Sequence, residues 1–320
     1  MSLVRKRFPG VLGAALLFAS HSSSSALAQD AFYGQSPAAD STVRFFAGVG
    51  MANIKAGEYV YNGDYKVSQL DWKSQGVKTG TVGAELDLGY SWRLKGRLDI
   101  GIGGDGHMVD RDWLNPSIDD WTDQSIHPDT GLDRYINLLI EADRSLIDTG
   151  STRLGLGGGL GFTDVKWTAR GGSYIYTDVT LHDDVGNFPD GEKGISYEQR
   201  IPTLFLSANA EQSLGRFTLS GTMRGGASVG FKGIDDHWLT DTRYTDEILF
   251  APMVGATVTA DYQLLASTSL YVSGDFQKIF TARGDTTARD TTTGATSEYE
   301  NGAKADFQSV AVSVGVKGRF

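Results

Sequence analysis

The sequence predicts an all-β protein, a ten-stranded antiparallel transmembrane β-barrel with long extracellular loops. Several segments alternate apolar residues with small or polar residues at a period of two. No apolar run after the N-terminal region reaches the ~20 residues that a membrane-spanning helix needs. The chain also holds 41 glycines but only 7 prolines, together with many residues that favour strands. A membrane location would therefore require strands, because only helices and closed barrels satisfy the backbone in lipid.

The alternation is clearest near the C-terminal end, in the segment 309–320, SVAVSVGVKGRF. Its four valines and Phe320 share one face, and small or basic residues share the other. The segment 153–162, RLGLGGGLGF, likewise places leucines opposite glycines. An apolar outside with a small or polar inside is typical of a membrane barrel strand. A phosphate-binding glycine loop is the competing interpretation, but it needs a following helix, and TDVKWTARGGSYIY has no helical period.

Ten strand-like segments are separated by connections that alternate in length. Four short turns and five long segments suit an up-and-down barrel with its long loops outside the cell. A soluble β-sandwich is the alternative fold, but its strands average ~5 to 6 residues. The predicted strands are 41–51, 79–92, 95–104, 132–147, 153–168, 196–212, 216–231, 246–263, 269–282 and 307–320. The predicted short turns lie near Leu94, Gly150, Leu214 and Ala266, and the long loops are 52–78, 105–131, 169–195, 232–245 and 283–306.

A barrel of ten strands is too narrow for a wide pore, so its lumen is predicted to be filled by side chains. Several charged residues lie inside strand segments, and those that face inward are expected to pair there. They are Arg97, Asp99, Glu141, Asp143 and Arg144.

Residues 1–28 are predicted to be a secretory signal peptide that precedes a single barrel domain, residues 29–320. A basic start (RKR), an apolar run over 11–19 and the small-residue pattern ending at Ala28 support this interpretation over a buried core helix. The whole chain has a formal net charge of −10 and no cysteine. Removal of the basic start makes the mature chain still more acidic, which disfavours nucleic acid and favours a cationic partner. Disulfides and thiolate metal sites are excluded.

The stretch HMVDRDW (107–113) separates two carboxylates by one residue. In an extended strand Asp110 and Asp112 point to the same face, and Arg111 points away. The stretch GIDDHW (233–238) places Asp235 and His237 on one face by the same rule. Both stretches fall where a predicted strand meets a long loop, so the two pairs can face each other across the mouth of the barrel.

The two pairs are chemically complementary. A carboxylate that polarises a histidine makes it a general base near neutral pH. Two neighbouring carboxyl groups titrate as one unit that retains a proton. A water molecule between the pairs is therefore placed to attack a carbonyl group.

The sequence resembles the omptin family of outer-membrane proteases over nearly all of the mature chain. The resemblance implies an aspartic-type endopeptidase in the bacterial outer membrane, with its active site facing outside. It carries the catalytic role to Asp110, Asp112, Asp235 and His237, with a water nucleophile and no covalent intermediate. The matching segments are KVSQLDWK (66–73), HMVDRDW (107–113), WTDQSIHPDT (121–130), TARGGSYIY (168–176), FPDGEKGISYEQR (188–200) and DDHW (235–238).

The family also implies cleavage of cationic polypeptides near or between basic residues. Glu58 occupies the position of a family acid that binds the substrate residue before the scissile bond, and Met108 matches the apolar lining of that pocket. Asp123 occupies the position of an acid that contacts the substrate residue after the bond. One position departs from the pattern: Gly233 stands where well-known members carry a second acid. The resemblance therefore supports the catalytic role more strongly than it supports the basic preference.

Lipopolysaccharide is the remaining partner that the resemblance implies, both as a ligand and as a candidate requirement for activity. Arg200 matches the family's binding motif, whereas Phe162 and Asp164 replace an expected Glu and Arg. A monomer without a metal ion or other cofactor is expected.

Three alternatives remain open at this point. Ser125 and His127 are two residues apart and suggest a serine nucleophile, although no third orienting group is evident. The four catalytic candidates also form a mixed His and carboxylate set that suits several divalent ions. Finally, the barrel could be catalytically silent and act as an adhesin or structural membrane protein.

Overall fold

A computed structural model describes residues 42–89 and 91–320, so the predicted signal peptide lies outside the described residues. No helix in these residues is long and apolar enough to cross a membrane. The strands are β1 (Val43–Asn62), β2 (Tyr65–Gly89), β3 (Trp92–Ile102), β4 (Asp105–Asp112), β5 (Asp123–His127), β6 (Asp129–Asp148), β7 (Thr152–Arg170), β8 (Ser173–Tyr176), β9 (Asp184–Asn187), β10 (Lys193–Leu214), β11 (Phe217–His237), β12 (Thr242–Leu265), β13 (Thr268–Asp290) and β14 (Thr296–Arg319).

Ten of these strands form a closed antiparallel ring, which confirms the predicted fold. Their order is β1-β14-β13-β12-β11-β10-β7-β6-β3-β2, and pairing of β1 with β2 closes the ring. The four short strands build one wall outward from the ring. β4 pairs with the outer half of β2, β5 with β4, β8 with β5 and β9 with β8.

The alternation of the strands sorts side chains between lipid and lumen. The outward-facing, exposed side chains of the membrane portion are apolar and form the apolar band, as period two requires. The predicted outward faces of β14 and β7 belong to it. Representative members are Val49, Met51, Leu156, Leu160, Leu206, Met223, Val258, Val272 and Val312.

The lumen of the membrane portion contains paired charges around a cavity of about 170 Å³. Arg97 contacts Asp275 at 2.7 Å and Asp99 at 3.0 Å. Arg224 contacts the fully buried Glu141 at 2.8 Å. A buried charge without a partner is costly, so these pairs are what permit charged residues inside the strands. Asp143 faces the same interior, whereas Arg144 is exposed.

The prediction of a long loop is wrong for three segments, where the barrel strands continue far beyond the membrane. Segments 52–78, 232–245 and 283–306 are mostly strand and close in tight turns after Asn62, His237 and Asp290. Above the lipid the outer face is solvated, so the apolar alternation fades while the backbone ladder continues. Only 105–131 and 169–195 contain longer irregular stretches.

The short turns at the opposite end lie close to where the sequence places them. Gly150 and Gly215 take positive φ values of 80° and 61°, which glycine adopts without strain. The turn predicted near Leu94 instead contains Ser91, three residues earlier, at a φ of 69°. That displacement lengthens β3 towards its N-terminus.

An apolar core fills the barrel beneath its outer mouth. Trp72 stacks on both Trp167 and Tyr197, which are cross-strand neighbours, with ring centroids 6.1 and 5.7 Å from its own. The Trp167 Nε1–H donates to the Ser74 hydroxyl at 2.9 Å. All three aromatic side chains are fully buried. They form a rigid floor on which the residues of the mouth are positioned.

Candidate active site

The mouth of the barrel brings together the four candidate catalytic residues. Asp110 and Asp112 lie at the outer end of β4, and Asp235 and His237 lie at the outer end of β11. The charges of both β4 acids act on His237, and the charge of His237 acts on both of them in return. The four residues therefore form one electrostatic site, although 122 residues of sequence separate Asp112 from Asp235 along the chain.

His237 and Asp235 form a short hydrogen bond. The His237 Nε2 atom lies 2.6 Å from the Asp235 Oδ2 atom, and the carboxylate is buried while the ring is partly exposed. Burial acts to lower the pKa of His237, but the charge and hydrogen bond of Asp235 outweigh it, with help from Asp110 and Asp112. The resulting pKa is raised to about 9. The edge of the ring also meets Tyr244, with centroids 5.2 Å apart.

The two acids of β4 hold protons more tightly than ordinary carboxyl groups. Burial raises the pKa of Asp110 well above its usual range, and the neighbouring charge of Asp112 raises it further. Burial also raises the pKa of Asp112. The Ser68 hydroxyl donates to Asp110 Oδ1 at 3.1 Å, which partly opposes the shift. Arg111 points away as predicted and approaches Asp71 at 3.6 Å.

The three predicted substrate-binding residues all border this site. Glu58 faces inward from β1, is 2% exposed, and its Oε2 atom has no hydrogen-bond partner among the described residues. Asp123 lies opposite Asp112 in the β4–β5 pair and accepts a hydrogen bond from the Thr177 amide at 3.3 Å. Met108 is fully buried one step below Asp110, beside Trp72.

Burial raises the pKa of Glu58 well above its usual value. The charges of Asp235, Asp246 and Asp110 raise this pKa further. Asp246 is an acid of this site that the sequence analysis missed. It lies on β12, is 5% exposed, and accepts a hydrogen bond from the Thr286 hydroxyl at 2.6 Å. Burial and the charge of Asp235 raise its pKa to about 7, against that hydrogen bond. No sequence motif marks Asp246, because only the β11–β12 register brings it here.

Ser125 and His127 do contact each other, as the serine alternative requires. The His127 Nε2 atom lies 2.9 Å from the Ser125 hydroxyl, and its Nδ1 atom lies 2.6 Å from the Gly171 carbonyl oxygen. However, both side chains are buried, and His127 stacks on Phe188 with centroids 5.2 Å apart. The orienting group is a neutral carbonyl, and burial lowers the pKa of His127. The pair fits a packed wall better than an accessible nucleophile.

Metal binding receives no support from this arrangement. Across residues 42–89 and 91–320, no group of three or more His, Asp or Glu side chains is arranged to hold a metal ion.

Arg200 lies outside the barrel, away from the mouth. It extends outward from β10 and contacts Glu198 at 2.6 Å. Glu198 also contacts Arg134 at 3.0 Å and Lys166 at 3.8 Å. Arg134, Lys166 and Arg200, here called the basic cluster, lie directly above the apolar band on β6, β7 and β10. Only Arg200 is marked by a motif in the sequence, since the strand register alone brings Arg134 and Lys166 beside it.

A closed antiparallel barrel with an apolar band, and with acids and a histidine gathered at one mouth, places the protein in the class of outer-membrane β-barrels. The family model of the Omptin family matches residues 39–320. Protease 7 of Escherichia coli O157:H7 is 30% identical over 288 residues, which cover 85% of this chain and 88% of that protein. Outer membrane protease IcsP of Shigella flexneri is 29% identical, over 84% of this chain and 87% of that protein.

A solved structure agrees with these relatives. The crystal structure of outer membrane protease OmpT from Escherichia coli matches with a TM-score of 0.83 and 28% identity, covering 90% of this chain and 99% of that chain. The chain belongs to the omptin family. It is an outer-membrane endopeptidase that acts on polypeptides. The alternative of a catalytically silent adhesin or structural barrel finds no support in these relatives.

Proposed function

We propose that this endopeptidase hydrolyses the peptide bond with a water molecule held between the Asp235–His237 couple and the Asp110–Asp112 pair. The observation that carries the proposal is the 2.6 Å bond between His237 and Asp235, opposite two acids whose pKa values are raised. Asp235 fixes the orientation of the ring through Nε2, which leaves Nδ1 for the proton of the water. A positioned acid and base of this kind contribute about 10² to 10⁴-fold to a rate.

The raised pKa values suggest how the protons are divided. At neutral pH His237, with a pKa of about 9, carries a proton. The β4 acids, whose pKa values are raised, are the groups to which this proton can pass. The reactive form has a neutral ring and a protonated carboxyl group, and it is a tautomer of the form with a charged ring. In that form the ring takes the proton of water while the acid hydrogen-bonds the carbonyl oxygen.

The bond changes balance without a covalent intermediate. The oxygen of water bonds to the carbonyl carbon, and its proton passes to His237. The acid of β4 stabilises the tetrahedral oxygen until the carbon–nitrogen bond breaks. His237 then returns its proton to the departing amine, and the two products leave as a carboxylic acid and an amine.

We also propose that the substrate is basic beside the scissile bond. Glu58 and Asp123 border the site, and neither forms an ion pair with a Lys or Arg among the described residues. A guanidinium or ammonium group of the substrate supplies the missing donors through charge-assisted hydrogen bonds. Met108 lies beneath this region and contributes an apolar floor.

Lipopolysaccharide is the proposed partner of the outer wall. The basic cluster lies just above the apolar band, at the height where lipid phosphates meet the protein. Arg200 is half-exposed and extends beyond Glu198. Arginine binds phosphate in a fixed, bidentate geometry, so Arg200 is suited to hold one there.

The proposed mechanism is tested by substituting neighbours on one strand. Asp110→Asn and Asp112→Asn remove the acids, whereas Arg111→Gln changes the residue between them on the opposite face. We expect kcat/KM for an Arg-Arg peptide to fall about 10²-fold or more in both Asn variants and to stay near wild type in the control. Turnover by either Asn variant equal to that of the control would remove the acid pair from the mechanism.

A further inference from the structure

Gly233 leaves an opening in the inner wall of the mouth, and a carboxylate from the next strand covers it. Gly233 and Asp246 are directly paired across β11 and β12. A Cβ atom added to Gly233 would lie 3.3 Å from both the Cβ and the Oδ2 atoms of Asp246. The carboxylate of Asp246 therefore lies over the glycine, in space that a side chain at position 233 would share.

The same place is rich in buried acceptors that lack donors. The Tyr197 hydroxyl lies 3.3 Å from the point that a Cβ atom on Gly233 would occupy, and it receives the Gln199 Nε2–H at 3.1 Å. Gln199 Oε1, Glu58 Oε2 and Asp235 Oδ1 are buried and have no hydrogen-bond partner among the described residues. The Trp72 indole N–H is also buried without a partner, and it acts on Glu58, but it leaves the other two acceptors without a donor. Unsatisfied buried acceptors are costly and indicate a missing donor.

Charge indicates the nature of that donor. Glu58, Asp235 and Asp246 are close enough for each carboxyl group's charge to act on another, and none of them pairs with a Lys or Arg among residues 42–89 and 91–320. The Tyr197 hydroxyl is close enough for the charges of Glu58 and Asp246 to act on it. A planar cation that donates several hydrogen bonds satisfies all these groups at once, which a neutral side chain does not.

We propose that Asp246 is a specificity-determining residue that, with Glu58, binds the basic side chain on the N-terminal side of the scissile bond. The second pocket acid, which is absent at position 233 of β11, is thus supplied by Asp246 of β12. A glycine at position 233 suits this arrangement, since a longer side chain there would compete with the Asp246 carboxylate for space. This inference rests on the proposed function, because it assigns the substrate pocket of the same site.

The test compares two peptides that differ only in charge. One has Arg-Arg at the scissile bond, and the other has citrulline before the bond, a neutral side chain of nearly the same shape. Wild type, Asp246→Asn and the matched control Glu247→Gln are assayed in outer-membrane fractions, with folding checked by heat-modifiable migration in gels. Glu247 is the neighbour of Asp246 on the opposite, exposed face, where it contacts Lys232 at 3.3 Å.

We expect Asp246→Asn to lower kcat/KM for the Arg peptide about tenfold or more while changing citrulline turnover little. The Glu247→Gln control keeps the wild-type ratio. Equal loss for both peptides, or an unchanged ratio, would overturn the proposal and leave Asp246 a wall residue. Absence of peptidase activity in the wild type, or its survival in Asp110→Asn, would instead contradict the proposed function.

Moving the acid from position 246 to position 233 provides a second, independent test. Asp246→Ser should lose the preference for Arg, and Gly233→Asp combined with Asp246→Ser should restore it from β11. The double variant also provides the test if Asp246→Asn fails to fold. A folded double variant that still ignores the charge of the peptide would contradict a shared pocket at this position.

Discussion

Asp235 holds His237 through a single 2.6 Å hydrogen bond, while its other carboxylate oxygen has no partner among the described residues. This hydrogen bond orients the ring, whose edge also contacts Tyr244. The charge of Asp235 also accounts for much of the rise in the pKa of His237 to about 9, against the effect of burial. The two residues form a unit in which removal of the acid changes both the position and the proton affinity of the base.

The protonation of His237 gives the first prediction. Because the folded pKa of about 9 lies above the ordinary value, the ring is charged at neutral pH and becomes neutral as the pH rises through 9. Asp235→Asn lowers that pKa, so the neutral ring appears at lower pH. The measurement is carbethoxylation of the His237 peptide by diethyl pyrocarbonate, followed by mass spectrometry, over roughly pH 5 to 10 so that both midpoints are covered. The same midpoint in both proteins would contradict the assigned role of Asp235.

Asp246 gives a prediction about stability. Its folded pKa of about 7 exceeds the unfolded value of about 3.9, so the folded state binds more protons between these two pH values. Stability must then fall as pH rises through this window, and it must be regained as pH falls. Asp246→Asn removes the effect. We expect the variant to be more stable than wild type by a few kcal/mol at pH 8 and nearly equal to it at pH 4.

Urea unfolding of the refolded barrel in lipid vesicles measures this difference at both pH values. Glu247→Gln is again the matched control, since its side chain is exposed on the same strand. A gain in Asp246→Asn that is the same at pH 4 and pH 8 would show that the carboxyl group does not titrate as described. A gain confined to pH 8 would also mean that the enzyme sacrifices stability to keep an unpaired acid in its pocket.

The lumen gives a prediction that is independent of the active site. Arg224 contacts Glu141, which is fully buried, at 2.8 Å. Arg224→Met leaves that carboxyl group without its cation and should lower the free energy of unfolding by about 3 to 5 kcal/mol. Adding Glu141→Leu should recover most of the loss, because both charges are then gone. A double variant as unstable as the single one would show that packing, not charge, dominates at this position.

The basic cluster gives a prediction about the membrane. Arg200→Gln should weaken activation of the refolded enzyme by lipopolysaccharide, because it removes a phosphate-binding group above the apolar band. The measurement is the lipopolysaccharide concentration that gives half-maximal turnover of the Arg-Arg peptide. Arg289→Gln, an exposed change on β13, is the control. An unchanged half-maximal concentration in Arg200→Gln would remove this residue from lipid binding.

The membrane part of the fold is predictable from the sequence because lipid imposes a strict pattern. Val312 and Leu160, for example, are both exposed on the outer face, as their period-two segments require. Above the lipid, both faces of a strand accept polar residues, so segments such as 283–290 show no apolar alternation and their sequence predicts a loop. The ladder there is maintained by backbone hydrogen bonds that every residue type can form.

The candidate site is predictable where its acid and base residues lie close together in the sequence. Asp110 with Asp112, and Asp235 with His237, are each separated by one residue and share a face by strand geometry alone. Asp246 escapes prediction because its relation to Gly233 depends on how the β11–β12 hairpin closes. The contact of His127 with the Gly171 carbonyl oxygen escapes for a similar reason, since backbone groups of distant segments leave no mark in the residue pattern.

Turnover of the Arg-Arg peptide by His237→Ala tests the proposed mechanism most directly. The variant keeps the acid pair of β4 and the pocket acids but has no base for the water molecule. We predict that it folds into the outer membrane and that its kcat/KM falls by about 10² to 10⁴-fold. A folded His237→Ala enzyme with wild-type turnover would contradict the mechanism.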